Sequence, residues 1–163
     1  MKKCLIAILL LAAPLLAQSP ASDQTEIALN AAGCGPSQVI FGASSDKNQH
    51  PLAQPEAGKA VVYVINLAYQ TMKVALDGAW VGADRGFSYS YFSADPGDHR
   101  LCVSQQGDHK QGSATSFAAI SGKAYYFQLS FKASTGWDLK PIDPAKGTFL
   151  IASAAFSTSH VPK

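Results

Sequence analysis

The chain has 163 residues, with 13 basic and 11 acidic side chains and three cysteines. That length suits a single domain once any targeting segment is set aside. Lys2 and Lys3 precede an apolar run, and without them 11 basic residues balance 11 acidic ones. A neutral domain with no Lys/Arg cluster lacks the electrostatic footprint of a nucleic-acid binder. It also lacks the polybasic patch that holds a protein on anionic lipid.

Residues 1–21 read as a secretory signal peptide: two lysines, an apolar run from Leu5 to Leu16, then the small residues Ala17, Ser19 and Ala21. The run is too short for a membrane helix, which needs roughly 20 residues. No later stretch is long and apolar enough to span. Cys4 precedes the run and is not placed for lipid modification. The remaining cysteines, Cys34 and Cys102, form an even pair in an exported chain, which predicts a disulfide. It closes a loop of roughly 69 residues, worth about 4 kcal/mol in the chain-entropy model.

Residues 22–58 read as an N-terminal segment with one strand, Gln38 to Phe41, followed by polar loop from Ser44 to Gln54. Residues 59–156 read as the sandwich core with a short C-terminal helix. Lys59 to Leu67 is β-branched and apolar throughout, the pattern of a central strand covered on both faces. Met72, Val74 and Leu76 alternate with Lys73, Ala75 and Asp77, the pattern of a half-buried strand. Asp77-Gly78 predicts a type I′ hairpin, and Trp80 and Val81 begin the return strand. Gly82 to Gly86 reads as a flexible loop. Phe87, Tyr89 and Tyr91 then alternate with Ser88 and Ser90 in a further strand.

Asp95-Pro96-Gly97-Asp98 is a turn. In the strand after it, Leu101 and Val103 point to one face and Cys102 to the other. If the first two face the core, the Cys34 segment has to cross the outer face. Thr115 to Ile120 suits a strand. Tyr125, Phe127, Leu129 and Phe131 share one face of the next, and Trp137 and Leu139 lie in a last one. Asp143-Pro144 matches an N-cap followed by proline at the first helical position. The helix is expected over about Ala145 to Ser153, with Phe149, Leu150 and Ala154 towards the sheet and Gly147 weakening it. Residues 157–163 read as a polar, frayed tail. Seven or so short strands at this spacing predict an all-β antiparallel sandwich.

Gly58-Lys-Ala-Val-Val-Tyr-Val, Val74-Ala-Leu-Asp-Gly, Pro96-Gly-Asp-His-Arg-Leu and Gly122-Lys-Ala-Tyr-Tyr-Phe resemble a family of exported bacterial domains, domain of unknown function 2846. The outline is also similar to small PEGA-type sandwich domains. The resemblance covers roughly Lys59 to Ile142. It implies an immunoglobulin-like or prealbumin-like sandwich and no activity, since its motif residues are turn and core types.

Catalytic constellations are weak. There is no G-x-S-x-G elbow and no G-x-x-x-x-G-K-[ST] loop. Gly97-Asp98-His99 and Gly107-Asp108-His109 suggest Asp98 and His99 as weak metal candidates. On one extended strand, however, the two pairs lie about 30 Å apart and cannot share an ion. Asp95 and Asp98 are explained by the turn. No cofactor is expected. The aromatics carry more interest: Trp80, Tyr89, Tyr91 and Trp137 are candidate ligand-binding rings, unless the N-terminal segment or the C-terminal helix covers them. The expectation is an exported, non-enzymatic interaction or structural module of the bacterial cell envelope with a protein or glycan partner. The alternative is a carbohydrate- or other ligand-binding module that uses surface aromatics, and a hydrolase or metal enzyme built on His99 ranks last.

Overall fold

The computed structural model describes residues 34–36, 38–108 and 112–161. The expected signal peptide, the segment from Ser22 to Gly33 and His109 lie outside them. The chain builds an all-β sandwich of two sheets with one short helix near its C-terminal end. Its strands are β1 (Gly42–Asp46), β2 (Ala60–Asn66), β3 (Met72–Leu76), β4 (Ala79–Asp84), β5 (Ser88–Ala94), β6 (Gly97–Gln105), β7 (Gly112–Ala119), β8 (Ala124–Lys132), β9 (Gly136–Ile142) and β10 (Ala155–His160), with α1 (Pro144–Ile151) between β9 and β10. The six-stranded sheet runs β1-β10-β5-β2-β8-β9 and the four-stranded sheet β4-β3-β6-β7.

The core between the sheets follows the alternation of the sequence. Val62 and Val64, Met72 and Val74, Leu101 and Val103, and Phe127 and Leu129 meet there with Trp137 and Leu139. Asp77 and Gly78 have φ of 51° and 83°, the left-handed pair a type I′ hairpin requires. The Asp95-Pro96-Gly97 turn carries the chain from β5 in one sheet to β6 in the other.

Two pairings depart from the antiparallel expectation: β2 lies parallel to β8, and β10 parallel to β5. Parallel neighbours need a long crossover, and the chain between β2 and β8 supplies one by building the whole four-stranded sheet. The early strand lies at Gly42–Asp46 rather than at Gln38 to Phe41, and the expected frayed tail contains most of β10, Ser157 to His160. These two strands pair with each other. Rich in serine, they lack apolar alternation, so their pairing comes from the backbone and from hydroxyls such as Ser44 Oγ and Thr158 Oγ1, 3.0 Å apart.

Other hydroxyls of β10 join the sheets. Ser159 Oγ accepts from Ala83 N at 2.9 Å and Ser157 Oγ accepts from Arg85 N at 3.1 Å, satisfying donors on the exposed edge of β4. On the opposite side Ser113 Oγ of β7 accepts from Leu139 N of β9 at 3.2 Å. Edge donors that would otherwise invite another strand are thereby covered.

A second apolar layer lies on the outer face of the six-stranded sheet. Val61, Tyr63, Ile65, Tyr89 and Tyr126 pack there under Ile151 and Ala154. Asp143 caps α1 by accepting from Lys146 N at 2.9 Å. The expected inward position of Phe149 is wrong: it is 74% exposed. The helix instead presents Gly147, Leu150 and Ile151 with Ala154, the i, i+3, i+4, i+7 stripe. Gly147 leads that stripe because a Cβ there would overlap the Tyr126 ring, and Phe149 falls on the opposite side.

Candidate functional site

The structure scatters the residues that the sequence singles out. Cys34 and Cys102 are joined by a disulfide, with Cα atoms 5.2 Å apart. Cys102 points away from the inter-sheet core, as the alternation requires, and the Cys34 segment crosses the outer face of the four-stranded sheet. Cys34, Ala75 and Cys102 form a small buried cluster there, with Trp80 against it. Hence β3, expected to be half-buried, is buried on both faces along Met72 to Ala75.

Trp80 donates from Nε1 to the Pro36 carbonyl at 2.6 Å, and the Lys73 ammonium sits 4.3 Å from its ring centre. Its ring therefore clamps the disulfide segment. Trp137 lies in the inter-sheet core, edge-on to Phe131. Tyr89 is fully buried on the outer face of the other sheet, its hydroxyl donating to the Pro51 carbonyl at 3.0 Å. Burial, reinforced by neighbouring Tyr63 and Tyr91, pushes its phenol up to about 12. Tyr91 stacks on Phe156 and packs against Tyr63. Four rings in three separate places line no common groove.

His99 is paired with Asp77 rather than with Asp98. Its Nδ1 lies 2.6 Å from Asp77 Oδ2 and its Nε2 lies 2.7 Å from the Asp95 carbonyl. Both partners are acceptors, so this geometry favours a ring with hydrogen on both nitrogens, the imidazolium. Partial burial opposes that charge. The bonds to Asp77 and Asp95 and the charges of both carboxylates outweigh it, and the His99 pKa is raised. Protonated in this pairing, His99 has no free lone pair for a metal ion. Among the described residues no three His, Cys, Asp or Glu side chains are grouped for one.

The feature that the sequence reading missed lies at one end of the sandwich, where the β2–β3 and β4–β5 loops meet. Fully buried Asn66 organises it. Its Nδ2 donates to the carbonyls of Gln70 at 2.9 Å and Arg85 at 3.0 Å, with a longer bond to Asp84, and its Oδ1 accepts from Ala68 N at 2.9 Å. Phe87 N donates to the Ala68 carbonyl at 3.0 Å. Gly86 lies so close to the Tyr69 carbonyl that a Cβ would overlap it.

Phe87 adopts φ of 56°. Such a conformation costs a non-glycine residue about 1–2 kcal/mol. It also overturns the expected grouping of Phe87 with Tyr89 and Tyr91. The strand begins at Ser88, and the left-handed residue before it turns the Phe87 ring outward, 57% exposed. Tyr69, 81% exposed, meets that ring edge-on with centroids 6.1 Å apart.

The two rings border an open cleft of about 580 Å³ that Gln70, Thr71, Arg85 and Gln105 also line. A signal was present in the sequence: Tyr69 and Arg85-Gly86-Phe87 place aromatic residues in loops, where no core demands them.

Directly behind Arg85 lies Asp84, fully buried, with neither carboxylate oxygen hydrogen-bonded among the described residues. Burial pushes its pKa up to about 7, against the opposing pull of the nearby Ser90 hydroxyl.

No family model matches the chain, and no curated protein matches it significantly.

Proposed function

We propose that this chain is an exported, non-enzymatic binding module of the bacterial cell envelope, with its recognition surface in the cleft bordered by Tyr69 and Phe87. The observation that carries this reading is the pair of exposed rings in edge contact, one of them held in a left-handed conformation by a fully buried asparagine hub. Strain of this kind persists only where surrounding structure enforces it, and it concentrates at ligand clamps. The signal-peptide pattern and the disulfide support export. The non-catalytic reading is supported by the engagement of Ser157, Ser159 and His99 in structural hydrogen bonds. Kinship with the exported domain of unknown function 2846 is part of the same proposal, and rests on the motifs quoted above.

The test is an amide-resonance titration of the protein with a panel of soluble neutral and acidic oligosaccharides. Shifts centred on residues 67–71 and 85–87 are expected with at least one sugar class. Shifts confined to other surfaces, or none across the panel, would overturn the reading.

A further inference from the structure

We infer that the cleft takes a sugar bearing a carboxylate, a uronate, with Arg85 holding the acid group and Tyr69 and Phe87 receiving a flat face of the ring. This rests on the binding-module reading above and specifies its ligand. The cleft lining contains one cation and no carboxylate. The Arg85 guanidinium makes no ion pair or hydrogen bond among the described residues, although its own backbone is held at both ends: its N–H by Ser157 and its carbonyl by Asn66 and Ser88. A free guanidinium on a fixed backbone is suited to the planar, two-pronged geometry of a carboxylate.

The rest of the lining matches the rest of a sugar. The side-chain amides of Gln70 and Gln105 and the Thr71 hydroxyl also lack partners among the described residues, and together they offer both donors and acceptors to ring hydroxyls. Tyr69 and Phe87 supply the apolar surface on which the carbon–hydrogen face of a pyranose packs. A volume near 580 Å³ lies within the usual range for small-ligand sites, about 300–1,000 Å³. A peptide C-terminus could present the same carboxylate. The open cleft, with hydroxyl and amide partners spread around two exposed rings, favours the polyhydroxylated source.

The experiment is calorimetric titration of the purified protein with three probes: a galacturonate tetramer, a neutral cello-oligosaccharide of equal length, and a tetrapeptide with a free C-terminal carboxylate. The acidic sugar is expected to bind at least about 10-fold more tightly than the neutral one. Arg85→Gln should weaken the acidic sugar by about 10- to 100-fold, the range for losing a charge-assisted hydrogen-bonded pair, and the neutral sugar by much less. Tyr69→Ala should weaken both sugars, and added salt only the acidic one. Equal binding of the two sugars, or an acidic preference that survives Arg85→Gln, would overturn the uronate assignment while leaving a binding module. Tighter binding of the tetrapeptide would move the carboxylate to a peptide. No binding of any probe would overturn both this inference and the reading on which it rests.

Discussion

The Asn66 side-chain amide donates to the Arg85 carbonyl across 3.0 Å, and this bond ties the end of β2 to the loop that follows β4. The same side chain serves Gln70 and Ala68, so one buried residue sets the distance between Tyr69 and Phe87. Asn66→Ala would strip partners from several buried backbone groups at once. A loss of about 3 kcal/mol is expected, read by urea denaturation. The circular-dichroism spectrum at zero denaturant should stay native. A loss under about 0.5 kcal/mol would show that the loops hold their geometry without the hub.

Phe87 separates stability from function. Phe87→Gly places at φ of 56° the residue that occupies it without steric cost. It removes a ring that is mostly exposed. Stability is expected to stay the same or rise by up to about 1 kcal/mol, while sugar binding falls. A variant that binds as well as the wild type would remove Phe87 from the site.

Asp84 and His99 make stability depend on pH in the same direction. Asp84 is protonated in the fold up to about pH 7, but ionises near pH 4 in the unfolded chain. Between those values the folded state holds the extra proton, so stability falls as pH rises, by roughly 4 kcal/mol in total. The raised pKa of His99 adds a contribution that is complete below about pH 6.5 and lost as pH climbs through the folded value. Asp77, whose pKa is lowered, works the other way and weakens the fold only at strongly acid pH. Burial opposes its charge, but the bonds from Arg100 N and His99 and the charge of His99 prevail. Thermal melts should therefore show maximum stability on the acid side of neutrality. Asp84→Asn, which mimics the protonated acid, should flatten most of the decline between pH 5 and 8. A decline unchanged in that variant would place its source elsewhere.

Reducing the Cys34–Cys102 disulfide should cost about 4 kcal/mol on the loop-closure argument. It also frees the segment that Trp80 clamps through the Pro36 carbonyl. A red shift of Trp80 emission is expected in the reduced, still-folded protein, while buried Trp137 stays blue. Fluorescence of Trp80→Phe under the same conditions assigns the signal.

Gly147→Ala should destabilise although alanine is the better helix former by about 1 kcal/mol. The new methyl group meets the Tyr126 ring, and overpacking of this kind costs about 1–3 kcal/mol. Denaturation midpoints of the two proteins decide it, and a stabilised variant would mean that α1 can slide on the sheet.

Much of the fold was legible because its causes are local. The Asp77-Gly78 turn, the inward alternation of Met72 and Val74, the two-sided burial of β2 and the opposed direction of Cys102 each follow from a residue and its near neighbours. What escaped was held by distant partners. β1 and β10 look like loop and tail because serine carries no apolar period, and they become strands only when Ser157 and Ser44 meet across the fold. Phe87 reads as the first member of the Tyr89 and Tyr91 face, but contact with the β2–β3 loop forces it left-handed and outward. The four rings chosen from the sequence are divided among the disulfide face, the inter-sheet core and the layer beneath α1, because ring type says nothing about which sheet or face will cover it.

Periodicity, turn chemistry and cysteine parity along the chain were enough for the sandwich class, the tight hairpin and the cysteine pair. It took the packed fold to join two loops through Asn66, to bury Asp84 completely, and to bring Tyr69, Arg85 and Phe87 to one cleft. Those relationships join positions up to about 20 residues apart in the chain, and they exist only after the two sheets have packed and closed the distance.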